Sequence, residues 1–189
     1  PWLHNVRNTD AVAAIDDEDC MRVLRLFNEP SGHEYLASMG ALENDIRSLP
    51  LLGISGIGNL LAAVKTAKYF ELNEHDVVFT IFTDSTDLYK SRLDELRDER
   101  GGYTVMQAAK DHAGPLAHQS IDYFKELSYY ERKALHNLKY FTWVEQQGRT
   151  SEELNAQWSP EFWQRMFEEE VVVFDRTIEE FNSLVGIIM

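Results

Sequence analysis

The chain has 189 residues, 44% of them hydrophobic and 26% charged, with 32 acidic against 18 basic side chains and a formal net charge of −14. That balance suits a soluble globular domain with a core of its own, or a large piece of a bigger one. It excludes binding driven by the nucleic-acid backbone, which needs clustered Lys and Arg. No run approaches the roughly 18 apolar residues that span a bilayer, so no membrane contact is expected.

The opening Pro1-Trp2-Leu3-His4 shows no basic segment followed by an apolar run, so no secretory signal is visible. The single cysteine, Cys20, has no partner for an internal disulfide, and a reducing cytoplasmic setting is the expectation. A first residue other than Met points to processing or a truncated reading frame.

In chain order, residues 11–15 form a short apolar run that reads as a buried strand. The cluster Asp16-Asp17-Glu18-Asp19 suits the first turn of a helix, where carboxylates meet the positive end of the dipole. Met21, Val23, Leu24, Leu26 and Phe27 continue that helix, with Cys20 as a small packed residue on it. Glu29-Pro30-Ser31-Gly32 reads as a turn, with the helix resuming over 34–39. A glycine-rich turn at 53–58 leads into an Ala- and Leu-rich helix over 60–70. Residues 77–82, β-branched and aromatic, read as a second buried strand, and a polar helix runs on to about Arg100. Strand, helix, glycine loop, helix, strand predicts α/β architecture with a parallel sheet over 1–100.

From Gly101 onward the spacing predicts helices over 104–127, 129–147 and 160–184, dense in aromatics such as Tyr129, Tyr130, Trp143, Trp158 and Trp163. Gly148, Ser151 with Glu153, and Ser159-Pro160 supply the stops and starts. This 101–189 extension is expected to cover the α/β body or a partner subunit.

The turn at 53–58 is weak evidence alone. It completes neither the Walker pattern nor the dinucleotide Gly-x-Gly-x-x-Gly turn, so a nucleotide-binding protein is a minor reading and tight packing the plainer one. Its context adds weight. The ordered set Val12 to Ile15, Asp16 to Asp19, Gly53-Ile54-Ser55, Ala62 to Lys68, Val77-Val78 and Thr83 to Tyr89 resembles the late part of the cysteine synthase family, pyridoxal-phosphate enzymes of fold type II that include tryptophan synthase β. The resemblance spans a little under half the chain.

It implies a partial parallel-sheet, Rossmann-like body followed by the helical, aromatic-rich extension. It also implies pyridoxal 5'-phosphate as cofactor and β-elimination or β-replacement on an amino-acid substrate. Gly53, Ile54 and Ser55 would line the pocket. The loop Thr83-Asp84-Ser85 would face the pyridine nitrogen, where the family offers a Ser or Thr hydroxyl. Asp84 at that place is a departure, since a carboxylate favours a protonated pyridinium; the alternative is that Thr83 is the partner and Asp84 caps the next helix.

The family's Schiff-base lysine lies in a Ser/Asn-x-Lys setting, and none of Lys65, Lys68, Lys90, Lys110, Lys125, Lys133 or Lys139 has it. The substrate-carboxylate loop and the glycine-rich phosphate cup are also missing from the sequence. No catalytic residue is therefore assigned. The expectation is a fragment or one piece of a split enzyme, inert alone, that needs an N-terminal half or second subunit and self-associates. The rival reading is a non-catalytic assembly or regulatory module. His112 and His118, six apart around Gly114-Pro115, do not share a helical face, so no metal site is expected.

Overall fold

The structure is a computed structural model that describes residues 4–187. Pro1-Trp2-Leu3, on which the signal-peptide reading rests, lie outside the described residues. The expected parallel, Rossmann-like sheet is not formed. Helix accounts for 68% of the described residues, and the strands among them are β1 (Ala11–Ala13) and β2 (Phe124–Glu126), paired antiparallel.

The reason lies in residues 77–82. They run extended, as their β-branched and aromatic side chains favour, yet no described strand lies beside them to complete a ladder. Val77 and Phe79 stay 89% and 88% exposed instead of buried. Strand propensity is expressed only where another strand takes up the backbone groups. Here the Asn59 side-chain amide donates to the Ile81 carbonyl, a single bond in place of a sheet.

The chain divides into two compact units. One of them, residues 13–125, is built around α1 (Asp17–Asn28). Asp16 caps it by accepting from the Glu18 amide, and Asp17, Glu18 and Asp19 fill its first turn, as the acidic cluster predicts. Cys20, Val23, Leu24 and Phe27 form one buried stripe, and Leu26 is buried on another side. Each such aliphatic or aromatic side chain contributes about 1.5–3 kcal/mol on leaving water.

Around α1 pack α2 (Pro30–Ser38), α4 (Ile54–Tyr69) and α6 (Val105–Asp111), with α3 (Glu43–Ser48) against α2. Leu93 and Leu96 of α5 (Lys90–Arg100) join the same core. Pro30, expected in a turn, is instead the first residue of α2, where its missing N–H costs nothing. Gly32 lets α2 approach closely, since a Cβ there would fall 2.1 Å from the Leu26 carbonyl oxygen. The expected helix over 104–127 breaks after α6 into a π-helical turn, His112–Ala117, that contains Pro115.

The second unit comprises residues 1–12 and 126–189. Its α7 (Tyr129–Tyr140) opens with a capping box between Ser128 and Glu131, and α8 (Ser151–Ala156) with one between Thr150 and Glu153. Ser159 caps α9 (Pro160–Arg165), which continues through a π-helical turn into α10 (Val171–Leu184). The predicted helices over 129–147 and 160–184 are present. Among the described residues no single helix is long and apolar enough to cross a membrane.

Candidate functional site

The glycine-rich turn is mostly helix. Gly53 is the N-cap of α4, and Ile54 to Gly58 already belong to its first turns. The Gly53 amide donates to the Asp84 carbonyl at 2.9 Å, which draws the loop after the extended segment onto the start of α4. A Cβ at Gly53 would lie 2.2 Å from Asp84 Oδ1 and 2.9 Å from the Tyr89 ring, so the contact requires glycine.

The Asp84 carboxylate is held from two sides. Tyr89 donates its hydroxyl to Oδ2 at 2.6 Å, and that bond, with some burial, holds the phenol above its ordinary pKa. Oδ1 is buried and accepts no hydrogen bond among the described residues. A shielded carboxylate oxygen without a donor is costly, and it is the kind of acceptor that a ligand N–H would satisfy.

The six residues expected to face a cofactor separate into groups. Gly53 and Asp84 touch. Ile54 packs against the hydrophobic core, while Ser55 and Thr83 are exposed. Ser85 precedes the short 3-10 turn Thr86–Tyr89 without capping it through its side chain. Thr86, a residue the sequence reading passed over, is buried and donates its hydroxyl to the Leu52 carbonyl, tying the same two loops together.

A second polar feature in the same unit carries no motif. Arg22, Arg25, Arg100 and Lys110 line a cavity of about 450 Å³ together with Glu18 and Asp111. Asp111, 1% exposed, accepts from Arg22 Nε (2.8 Å), Tyr103 (2.9 Å) and Gln107 (3.0 Å). Burial and the Asp111 charge push the Tyr103 phenol well up. Arg25 lies over the Tyr103 ring at 4.8 Å and donates to the Gly101 carbonyl. The helical spacing of Glu18, Arg22 and Arg25 was the available signal, but such spacing usually marks a solvated face.

Among the described residues no three His, Cys, Asp or Glu side chains gather to hold a metal ion. His112 Nδ1 pairs with the Tyr35 hydroxyl and His118 Nδ1 with the Ala113 carbonyl. Comparison with protein-family models, curated proteins and solved structures finds no match to this chain.

Proposed function

We propose that this chain carries the ring-side wall of a pyridoxal-phosphate site in an enzyme that performs β-elimination or β-replacement on an amino acid. The observation that supports the reading is the Asp84 carboxylate. One oxygen is fixed by Tyr89, and the other is buried and lacks a donor beside the Gly53-Ile54-Ser55 turn. Those are the loops that the resemblance to the cysteine synthase family brings together. The donor set fits the ring end of the cofactor, since a pyridine nitrogen that accepts a proton would give the orphaned oxygen its partner.

In this reading pyridoxal phosphate supplies the electron sink for charge developed at the substrate's α-carbon. Asp84 holds a proton at the ring nitrogen, which makes that sink stronger than a Ser or Thr hydroxyl would. Tyr89 orients the carboxylate, and Gly53 gives it room. The lysine that would bind the cofactor covalently and move the α-proton comes from outside these residues, so the 189-residue chain alone is inert.

The test has two stages. Coding sequence upstream of Pro1 should continue the frame with a Ser/Asn-x-Lys motif and a glycine-rich loop. The product of that whole frame, supplied with pyridoxal phosphate, should release pyruvate or an exchanged product from serine or O-acetylserine. A stop codon followed by a native start immediately upstream, or β-elimination by the 189 residues alone, overturns the proposal.

A second reading, an assembly module, draws on α10. Val172, Phe174, Ile178, Phe181 and Leu184 are all more than half exposed on this helix. Apolar side chains repeated along one helix mark a contact surface more often than solvent-facing structure. The two readings are compatible if α10 serves self-association of the enzyme.

A further inference from the structure

The unit formed by residues 1–12 and 126–189 contains a cavity that neither the resemblance nor the Asp84 site uses. Leu135, Leu138, Lys139 and Thr142, at helical spacing along α7 and its continuation, line one side of a space of about 450 Å³; His4 and Val12 also line it. The volume is that of a small-molecule pocket. The lining is apolar apart from His4, Lys139 and two threonines, and no arginine or carboxylate belongs to it.

Lys139 is 5% exposed, an unusual setting for an ammonium group. Its Nζ donates to the His4 carbonyl at 2.7 Å and to Gln157 Oε1 at 3.2 Å. Both partners are neutral, and among the described residues no carboxylate lies within ion-pair distance of it. This is a departure in a chain with 32 acids against 18 bases. Two acceptors satisfy both N–H bonds of a neutral amine and leave its lone pair unused.

Burial alone lowers the Lys139 pKa, with no acid to oppose it. The neighbouring titratable groups agree: His4 and His136 are both held below their ordinary value by burial, with Lys139 a further cause, and Lys133 adds to the effect at His136. Lys65 provides a contrast. It is equally buried, at 3% exposed, and its Nζ likewise donates to two neutral acceptors, the Ala14 and Asp122 carbonyls, but it does not line this cavity. A desolvated lysine beside an apolar pocket is the arrangement that makes an amine a nucleophile at neutral pH.

We propose that Lys139 is a reactive amine at the head of a pocket for apolar carbonyl compounds, which it binds reversibly as an imine. The amine lone pair forms a bond to the carbonyl carbon while the C=O π pair moves to oxygen. Both amine protons then leave with that oxygen as water, and the C=N bond closes. The step is a condensation and needs neither oxidant nor reductant. Besides Lys139 the lining holds no arginine or second lysine, and burial holds its one imidazole, His4, below its ordinary pKa, so the ligand class is an aliphatic aldehyde or ketone rather than a phosphorylated one.

The test is labelling of the full chain with hexanal and cyanoborohydride, read by peptide mass spectrometry across its seven lysines. Burial favours the neutral amine, so Lys139 should be modified faster than exposed Lys90 near neutral pH. Leu138→Trp, at a position 59% exposed, fills the cavity and leaves Lys139 in place. It should abolish labelling at Lys139 and spare the other lysines, a result that does not depend on whether Lys139→Met folds. Labelling that follows exposure overturns the proposal, as does labelling of Lys139 that survives Leu138→Trp. Faster modification of Lys139 by pyridoxal phosphate than by hexanal overturns the ligand class.

Discussion

At the scale of single residues, Gly53 and Asp84 are mutually dependent. A methyl group at 53 meets both Asp84 Oδ1 and the Tyr89 ring, which are tied by a 2.6 Å hydrogen bond, so neither moves alone. Gly53→Ala should therefore cost about 1–3 kcal/mol, as overpacking does. Asp84→Ala in the Gly53→Ala background should recover much of that cost, and a double-mutant cycle from urea unfolding measures the coupling. Strictly additive effects would show that the two residues do not pack as described. Cys20 gives a chemical check on the core. Burial, reinforced by Asp17, Asp19 and Asp16, pushes its thiol from 9.0 up to about 11. Two pH units lower the thiolate fraction about a hundredfold, so alkylation by iodoacetamide near neutral pH should be at least that much slower in the folded chain than in urea.

At the scale of elements, the energetic weight falls on buried ties rather than surface pairs. Arg100 meets Glu18 through two hydrogen bonds, but both side chains are a third or more exposed, and such a pair is worth under about 1 kcal/mol. Asp111 gathers Arg22, Tyr103 and Gln107 in a site 1% exposed. Asp111→Ala strands those donors and should cost about 3 kcal/mol in urea unfolding, against less than about 1 for Glu18→Ala. Equal costs would contradict this ranking.

The helices were legible in the sequence wherever a local signal fixes them. Asp16 and the acids after it set the start of α1, and Ser159-Pro160 sets that of α9. Residues 77–82 misled for a physical reason: β-branching encodes an extended backbone, whereas a sheet also needs a partner strand that no local pattern specifies. The glycines at 53–58 suggested a loop, although only Gly53 is held extended, as a cap. Of the six residues expected at the site, Gly53 and Asp84 are brought into contact. The Asp111 cluster also needs Arg22, 89 residues away, and the Lys139 cavity needs His4, 135 residues away, so helical spacing announces only part of each.

At the scale of the whole molecule, His4 and His136 make stability sensitive to acid. Burial holds His4 and His136 below their ordinary pKa of 6.5, so the folded chain refuses protons that the unfolded chain binds. Stability is therefore unaffected by these groups above about pH 6.5 and falls as pH drops below it, until the lowered folded values are passed. The urea midpoint should fall between about pH 7 and about pH 5, and His136→Gln should flatten that slope. A slope unchanged by the substitution would assign the acid sensitivity elsewhere. Exposed Phe174, Ile178 and Phe181 on α10 predict self-association, which light scattering would show as a mass above 21.9 kDa.

The central claim is that Asp84 serves the ring nitrogen of pyridoxal phosphate. The most direct measurement is nitrogen-15 NMR of ring-labelled pyridoxal phosphate bound to the product of the whole reading frame. A protonated ring nitrogen in the wild type, lost in Asp84→Ser, is the predicted result. A bound cofactor whose ring nitrogen is unprotonated, or no bound cofactor at all, would contradict it.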